Sequence, residues 1–369
     1  MEILMKILIS GGGTAGHINP AIAIAKRMKR EYNAEILFIG RQKGMENDLV
    51  QKEGFDIKYI EVEGLIRSLS PKNIKVLIKY ITAIQKAKKI IREFAPDVVV
   101  GTGGFVCAPV MAAANALHIP TLIHEQNVFP GMTVKMSASF VNVVATSFED
   151  MKKYVSEKVA KKCVLTGNPL RENLFDLTYD DARKKLGIGD ETFIVTVGGS
   201  LGAKTINNAL CEIVNNCTQE NIKILGGTGE RFYNEVMENI DKEKLTENVS
   251  VVPYIYNMNE VLPAADLVVA RSGAVTVSEL AALGRPAILI PSPNVTHNHQ
   301  EYNARSVSSR GGAVLICERD LKEGLVAESV NKLLENPQKL KEMSECAHKL
   351  AIADGTKRIC DIVAELSQK

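Results

Sequence analysis

Three glycine-rich turns, each lying between a β-like apolar run and a helical pattern, are the places in this chain best suited to chemistry. GGGTAGH spans Gly11 to His17 after KILIS, GTGGF spans Gly101 to Phe105 after DVVV, and GGSLGAK spans Gly198 to Lys204 after FIVTV. Glycine lets the backbone turn sharply and approach a ligand closely, while the first N–H groups of the following helix carry the positive end of its dipole. Such turns favour phosphates. Two in the first half and one in the second predict two nucleotide-fold halves with at least one diphosphate between them. Gly11, Gly13 and Gly16 also fit G-x-G-x-x-G, whose dinucleotide reading needs an acidic residue about 20 positions on, at the end of the second strand. Here that strand ends in Gly40-Arg41-Gln42. An arginine there suits NADP, which keeps a dehydrogenase open. That reading explains neither His17, directly after the loop, nor a second sheet with its own GGS turn.

The elements that must position these turns alternate regularly. After the first unit come EILFIG (Glu35 to Gly40), a helical segment near Met45 to Glu53, a strand near Ile57 to Val62 and a long helix from Lys72 to Phe94. DVVVG, an alanine-rich helix from Ala108 to Leu117, TLIHEQN and VNVVATS follow. Continuous Val/Ile runs separated by crossover helices are the mark of buried parallel strands. CVLTGNPLREN (Cys163 to Asn173) places Gly, Asn and Pro at a strand's end and marks a turn at the domain boundary. The alternation restarts with FIVTVGG, NIKILGG, NVSVVPYI, ADLVVARSG, PAILIPSP and GGAVLICE, with helices at Val275 to Leu283 and Glu301 to Arg310 between them. A last helical stretch, Leu340 to Ser367, is expected to cross back onto the first domain. The expected fold class is α/β, with two doubly wound Rossmann-like domains facing across a cleft. The expected domains are 1–166, joined by the C-terminal helix 350–369, and 167–349.

Composition excludes several classes. The chain has 369 residues, 46% of them hydrophobic and 24% charged, and a net charge of +2. Such a balance suits a soluble globular protein and argues against a nucleic-acid binder, which shows a strongly basic domain. Seven cysteines without a C-x-x-C pair read as reduced thiols in a cytosolic protein. MEILMKILIS runs into glycines without a cleavage pattern and reads as the first strand rather than a signal peptide. No stretch approaches the roughly 18 apolar residues of a membrane span, so any membrane contact is expected to be peripheral.

GGGTAGHINPAIAIA, GTGGFVCAPV, HEQNVFPG, GNPLR, GGSLGAKTIN, RSGAVTVSELAALGRPAILIP and HNHQEYNA, in this order, resemble the MurG family. The family's members are peptidoglycan transferases that move N-acetylglucosamine from UDP-GlcNAc to undecaprenyl-pyrophosphoryl-N-acetylmuramyl-pentapeptide (lipid I). The resemblance spans nearly the whole chain. It implies a two-domain GT-B fold and an inverting transfer to the 4-hydroxyl of MurNAc that makes lipid II. It also implies roles in cell-wall synthesis and in cell shape and division, with other cell-wall synthesis proteins as candidate partners.

Such a transfer needs a base for the attacking hydroxyl, stabilisation of the leaving diphosphate and groups that orient the sugar. His17 is the first base candidate because imidazole titrates near neutrality; the alternative is a helix-start histidine that only orients the loop. Glu125 in HEQN is the second, with turn capping as its alternative. Asn127 contacts the donor sugar by resemblance, and Thr14, Ala15 and Gly16 join the donor contacts. Gly13, Gly103 and Gly104 are assigned to the acceptor pyrophosphate, where a larger residue at Gly103 would obstruct the lipid substrate. No D-x-D occurs and no metal or cofactor is expected, so backbone dipoles, Ser200 and Arg171 serve the diphosphate. An N-cap serine and a surface arginine are the plainer alternatives. In RSGAVTVSE, the N–H groups of Ala274, Val275 and Thr276 can meet phosphate or sugar oxygens, with Val277 and Ser278 beside them. Glu279 can accept two hydrogen bonds from a ribose diol, or is an ordinary helix carboxylate. Ile255 would meet the uracil through its backbone and Gln300 the sugar hydroxyls; His297 and His299 have no third ligand in view and stay unassigned.

From Leu65 to Arg92 stand eight basic residues, Arg67, Lys72, Lys75, Lys79, Lys86, Lys88, Lys89 and Arg92, and no acid. Leu65, Ile66, Leu69, Ile74, Leu77, Ile78 and Ile81 are interleaved. This is either a crossover helix with solvated lysines or a surface that lies on an anionic leaflet. A lipid-bound acceptor favours the second, at the cytoplasmic face of the cell membrane. A UDP-GlcNAc epimerase and a non-catalytic nucleotide-sugar-binding protein are the alternatives to a transferase. Products from radiolabelled UDP-GlcNAc with and without lipid I separate the three.

Overall fold

The computed structural model describes residues 4–63, 72–199 and 201–368, except the side chains of residues 72–75. Ser200, Leu65, Ile66, Arg67 and Leu69, and the side chains of Lys72, Ile74 and Lys75, therefore lie outside the described residues. The chain forms two units, Met1–Leu170 with Ile352–Lys369, and Arg171–Ala351.

In the first unit the elements are β1 (Lys6–Gly11), α1 (Ala15–Tyr32), β2 (Glu35–Gly40), α2 (Met45–Lys52), β3 (Asp56–Tyr59), α3 (Lys72–Phe94), β4 (Val98–Gly103), α4 (Cys107–Ala116), β5 (Thr121–Glu125), α5 (Met132–Ser137), β6 (Val143–Thr146), α6 (Glu157–Ala160) and β7 (Cys163–Leu165). The seven strands form one parallel sheet in the order β3-β2-β1-β4-β5-β6-β7. Strands β4 and β5 are buried along their whole length, which is why they read as unbroken apolar runs and not as an alternation. On one face Ala87 and Ile91 of α3 and Val110 and Met111 of α4 pack over Leu8, Leu37 and Val99. On the other, Ile18, Ile24 and Met28 of α1 cover Ile7, Ile9 and Phe38.

The second unit contains α7 (Tyr179–Leu186), β8 (Thr192–Val197), α8 (Lys204–Asn216), β9 (Ile222–Gly227), α9 (Tyr233–Asn239), β10 (Val249–Val252), α10 (Met258–Ala264), β11 (Leu267–Ala270), α11 (Ala274–Ala282), β12 (Ala287–Leu289), α12 (His299–Ser308), β13 (Val314–Leu315), α13 (Leu325–Leu334) and α14 (Pro337–Lys349). Its six strands are parallel in the order β10-β9-β8-β11-β12-β13. In both sheets the chain reverses its direction of travel between the first and fourth strands, β1/β4 and β8/β11. Ligands bind doubly wound sheets outside the carboxyl ends of such a pair. All three glycine turns, and Arg271 to Gly273 after β11, leave strands at these two places.

The single helical stretch expected from Leu340 to Ser367 is two helices. α14 packs on α11 and α13, whereas α15 (Gly355–Ser367) packs on α1, where Ile359 and Val363 enter the first core. The break between them brings Ile352 against Gly167, where a Cβ would lie 2.7 Å from that of Ile352. Asn168 Nδ2 donates to the Gln126 carbonyl. These contacts tie residues 167 and 168 to the first unit, so the observed division falls a few residues beyond position 166.

Candidate active site

At the carboxyl ends of β1 and β4 the two glycine turns touch. Gly12 N–H donates to the Gly103 carbonyl at 3.2 Å, and a Cβ on Gly104, whose φ is +85°, would lie 2.1 Å from the Gly12 carbonyl oxygen. Only glycine fits there. Gly103 has φ +110°, and a Cβ on it would lie 2.6 Å from His17 Nδ1. A larger residue at Gly103 therefore collides first with the candidate base, a correction to the expectation that it would act on the lipid substrate alone.

The first turn is less anion-ready than its sequence implies. The Glu46 carboxylate, fully buried, accepts from Gly13 N–H, Arg41 N–H and Arg41 Nε, each at 3.1 Å. Burial pushes its pKa up, but these donors more than offset that and hold it below the usual range. Gly13 N–H is thus already committed to a negative charge, which counts against Gly13 as a pyrophosphate donor. The same pair occupies Arg41 Nε, the residue that suited NADP. Farther along, the N–H groups of Thr14, Ala15 and Gly16 have no acceptor among the described residues, as befits the start of α1.

His17 lies in the first turn of α1. Thr102 Oγ1 donates to its carbonyl at 2.8 Å, and its Nδ1 is 3.1 Å from Gln126 Oε1. Burial lowers its pKa below 6.5, against the opposing hydrogen bonds of Gln126 and Thr102, so the ring is neutral at pH 7 and able to take a proton. Glu125 is differently employed. Its Oε1 accepts from Asn127 N–H (2.9 Å) and Nδ2 (3.1 Å), and its Oε2 accepts from Gly131 N–H (2.7 Å). A 2%-exposed carboxylate receiving three donors fastens the turn after β5 and orients the Asn127 amide. Both oxygens are thus engaged with the N–H groups of the turn, which counts against Glu125 as a base and in favour of turn capping, the plainer of its two readings.

The second unit holds an open cavity of about 700 Å³, lined by Arg171, Gly199, Gly229, Tyr254, Ile255, Thr276 and Glu279 among others. Arg171 and Glu279 form a two-pronged pair, Nε to Oε1 at 2.7 Å and Nη2 to Oε2 at 2.8 Å. Glu279 is 4% exposed. The pair holds the arginine above its ordinary pKa and engages with Glu279 the guanidinium that the sequence assigns to the diphosphate. Ala274, Val275 and Thr276 form the first turn of α11, with Gly273 as its cap and Ser278 farther along the helix. Val277 is buried, so its side chain belongs to packing. Ile255 is also nearly buried, its Cδ1 where a Cβ on Gly227 would approach to 3.1 Å. Gln300 is fixed at both ends: its Oε1 accepts from Ser292 N–H at 2.9 Å and its carbonyl from Ser272 Oγ at 2.9 Å. Just before it, His297 and Asn298 both have positive φ, 56° and 52°, a strained approach of the kind concentrated at functional sites. No group of three or more His, Cys, Asp or Glu arranged for a metal occurs among the described residues. Gln126, Glu46 and Tyr254 escaped sequence reasoning. The apolar alternation of TLIHEQN hid Gln126, and nothing local links Glu46 to a turn 33 residues away.

Residues 7–146 match the glycosyltransferase family 28 N-terminal domain and residues 193–359 the glycosyltransferase family 28 C-terminal domain. The chain is 45% identical over 365 residues, 98% of each chain, to the UDP-N-acetylglucosamine--N-acetylmuramyl-(pentapeptide) pyrophosphoryl-undecaprenol N-acetylglucosamine transferase of Acetivibrio thermocellus. It is 45% identical to the protein of the same name from Thermoanaerobacter sp., over 98% of this chain and 100% of that one. Among solved structures it is similar to MurG of Acinetobacter baumannii, with TM-score 0.82 and 26% identity over 98% of this chain and 99% of that one.

Proposed function

The chain belongs to the MurG family of glycosyltransferase family 28 and transfers N-acetylglucosamine from UDP-GlcNAc to N-acetylmuramyl-(pentapeptide) pyrophosphoryl-undecaprenol, and we propose that the Arg171–Glu279 cavity takes the donor while His17 serves the acceptor. The observation that carries this reading is the contrast between a buried carboxylate and a half-buried imidazole. Glu279 presents a preformed acceptor pair beside the first turn of α11, whereas His17 is a neutral imidazole beside two glycine turns. A carboxylate held open by an arginine suits a ribose diol, and the α11 N–H groups suit the diphosphate. Ile255 reads the uracil edge, and Gln300 and Asn127 orient the sugar. Thr14, Ala15 and Gly16 donate to donor oxygens, and Gly103 and Gly104 leave room for the acceptor pyrophosphate.

In the transfer, His17 takes the proton of the MurNAc 4-hydroxyl as that oxygen bonds to C1 of GlcNAc with inversion. The C1–oxygen bond to the β-phosphate breaks, and UDP leaves with the electron pair. Arg171 and the α11 dipole offset its charge, and no metal is required.

The membrane surface is assigned to α3. Leu77, Ile78 and Ile81 are each more than half exposed, with Lys86 and Lys89 exposed on the same helix. Lys79 is paired with Glu63, an acid just outside the basic stretch. Exposed Phe105 precedes α4, which packs on α3, and exposed Met132 and Met136 lie on α5, which packs on α4. No helix among the described residues is long and apolar enough to cross a membrane. We assign this face to the anionic cytoplasmic leaflet that carries the acceptor.

Steady-state kinetics with each substrate varied separately test the division. Glu279→Ala is expected to raise KM for UDP-GlcNAc by roughly 10- to 100-fold, since a lost hydrogen bond to a charged group costs about 1.5–3 kcal/mol. His17→Ala is expected to lower kcat by roughly 10² to 10⁴-fold with UDP affinity nearly intact. Unchanged UDP affinity in the first variant, or a normal kcat in the second, refutes the corresponding role.

A further inference from the structure

Behind His17 lies a run of buried polar side chains that the transfer chemistry does not itself require. Gln126 is 3% exposed and His124 wholly buried. Hydrogen-bond logic fixes every member. Gln126 Nε2 lies 2.9 Å from the Thr102 carbonyl, which can only accept, so the amide's NH₂ end is on that side. The same nitrogen is 3.0 Å from His124 Nδ1, which must therefore be unprotonated and accepting. At the far side of that ring, Nε2 is 3.1 Å from the Gly167 carbonyl, again an acceptor only, so His124 carries its proton on Nε2. Ser147 agrees: its hydroxyl donates to the Glu125 carbonyl at 2.9 Å, leaving its oxygen to accept from the same Nε2 at 3.1 Å. With both ends of this run settled, the Gln126 oxygen faces His17 Nδ1 at 3.1 Å and can only accept. His17 Nδ1 must donate.

We infer that Gln126 and, behind it, His124 are positioning residues for the transfer, holding neutral His17 in the tautomer protonated on Nδ1 so that Nε2 keeps the lone pair that receives the acceptor's proton. Which ring nitrogen is free is set by the bond the other one makes, and a histidine held in the wrong tautomer is a poor base even where its position is unchanged. His17 Nε2 has no partner among the described residues, and Gly103 lies so close that a Cβ on it would come within 2.6 Å of His17 Nδ1. An amide oxygen also differs from the carboxylate that commonly backs a catalytic histidine. It orients the ring without adding negative charge, so the ring stays neutral near pH 7. His124 is too deeply buried to relay the proton onward. Its part is to dictate which way the Gln126 amide faces. This inference rests on the reading of His17 as the base.

Two measurements test it on the full chain. In enzyme labelled with [¹⁵N]histidine, long-range ¹H–¹⁵N correlation reads the tautomer directly, with His17 assigned from the spectrum of His17→Gln. The Nδ1–H pattern is expected, and an Nε2–H pattern in the unaltered enzyme overturns the inference with no need for a foldable variant. In kinetics with UDP-GlcNAc and lipid I, Gln126→Met is expected to lower kcat about 10- to 100-fold, the usual scale for a group that orients another, with KM for UDP-GlcNAc unchanged. In the His17→Ala background the same change is expected to cost nothing further. An equal loss in both backgrounds means that Gln126 acts through structure alone and overturns the inference. A normal kcat in His17→Ala instead removes the base reading, while the tautomer spectrum still reports on the lock itself.

Discussion

Two buried carboxylates, Glu125 at the end of β5 and Glu279 within α11, differ in what donates to them. Glu125 receives three N–H groups of its own turn, so both of its oxygens are engaged in structure. Glu279 receives one guanidinium from a half-exposed arginine that can share it with a ligand. Glu125→Gln is therefore expected to lower the melting temperature, since an amide cannot accept from all three donors, and to leave the acid limb of the kcat–pH profile in place. Differential scanning fluorimetry and a pH series check this, and a vanished acid limb in a stable variant would return Glu125 to the role of base. With His17 as the proposed base, that limb is its own. Its pKa lies below 6.5, so activity is expected to be flat above that value and to fall only as acid protonates the ring.

At the scale of elements, the carboxyl ends of β1, β4 and β5 form one polar cluster built on glycine contacts. Gly103→Ala puts a Cβ where His17 Nδ1 already is, in a backbone region that alanine rarely adopts. The expected result is a fall in kcat with UDP affinity kept, measured by kinetics beside calorimetric UDP titration; a defect confined to KM for lipid I would contradict the packing. The cluster also makes the first unit acid-sensitive. Burial pulls His124 down to about 4, the Gly167 carbonyl opposing, from 6.5 in the unfolded chain. Above pH 6.5 both states are neutral and the group is silent. Between pH 6.5 and about 4 only the unfolded chain takes up the proton, so stability falls, by on the order of 3 kcal/mol at the lower limit. Urea midpoints across this window are expected to drop less steeply in His124→Gln; parallel curves would exclude His124 as the source.

For the whole molecule, an enzyme whose acceptor is tethered to a lipid needs a way to the bilayer, and no helix among the described residues is long and apolar enough to span one. In the proposed arrangement the half-exposed apolar residues of α3 are taken out of water there, each contributing about 1 kcal/mol. Replacing Leu77, Ile78 and Ile81 together by serine removes little packing, so the melting temperature should hold, while co-sedimentation with anionic vesicles should fall more than tenfold. Undiminished vesicle binding in a folded variant would move the membrane surface elsewhere.

The sequence by itself determined the doubled α/β plan, because continuous apolar runs, glycine turns and crossover helices are local patterns that survive without tertiary context. It also marked the strand ends at which the chain turns on glycine, and seven ordered blocks carried the family. Tertiary structure decided what each polar group is engaged with. Glu46 reaches Gly13 from 33 positions away, Arg171 meets Glu279 across 108, and Gln126 meets His17 across 109. No periodicity encodes such pairings. The physical reason is that what a carboxylate or an imidazole can do depends on which donors and acceptors the fold brings within about 3 Å of it, and these come from distant parts of the chain.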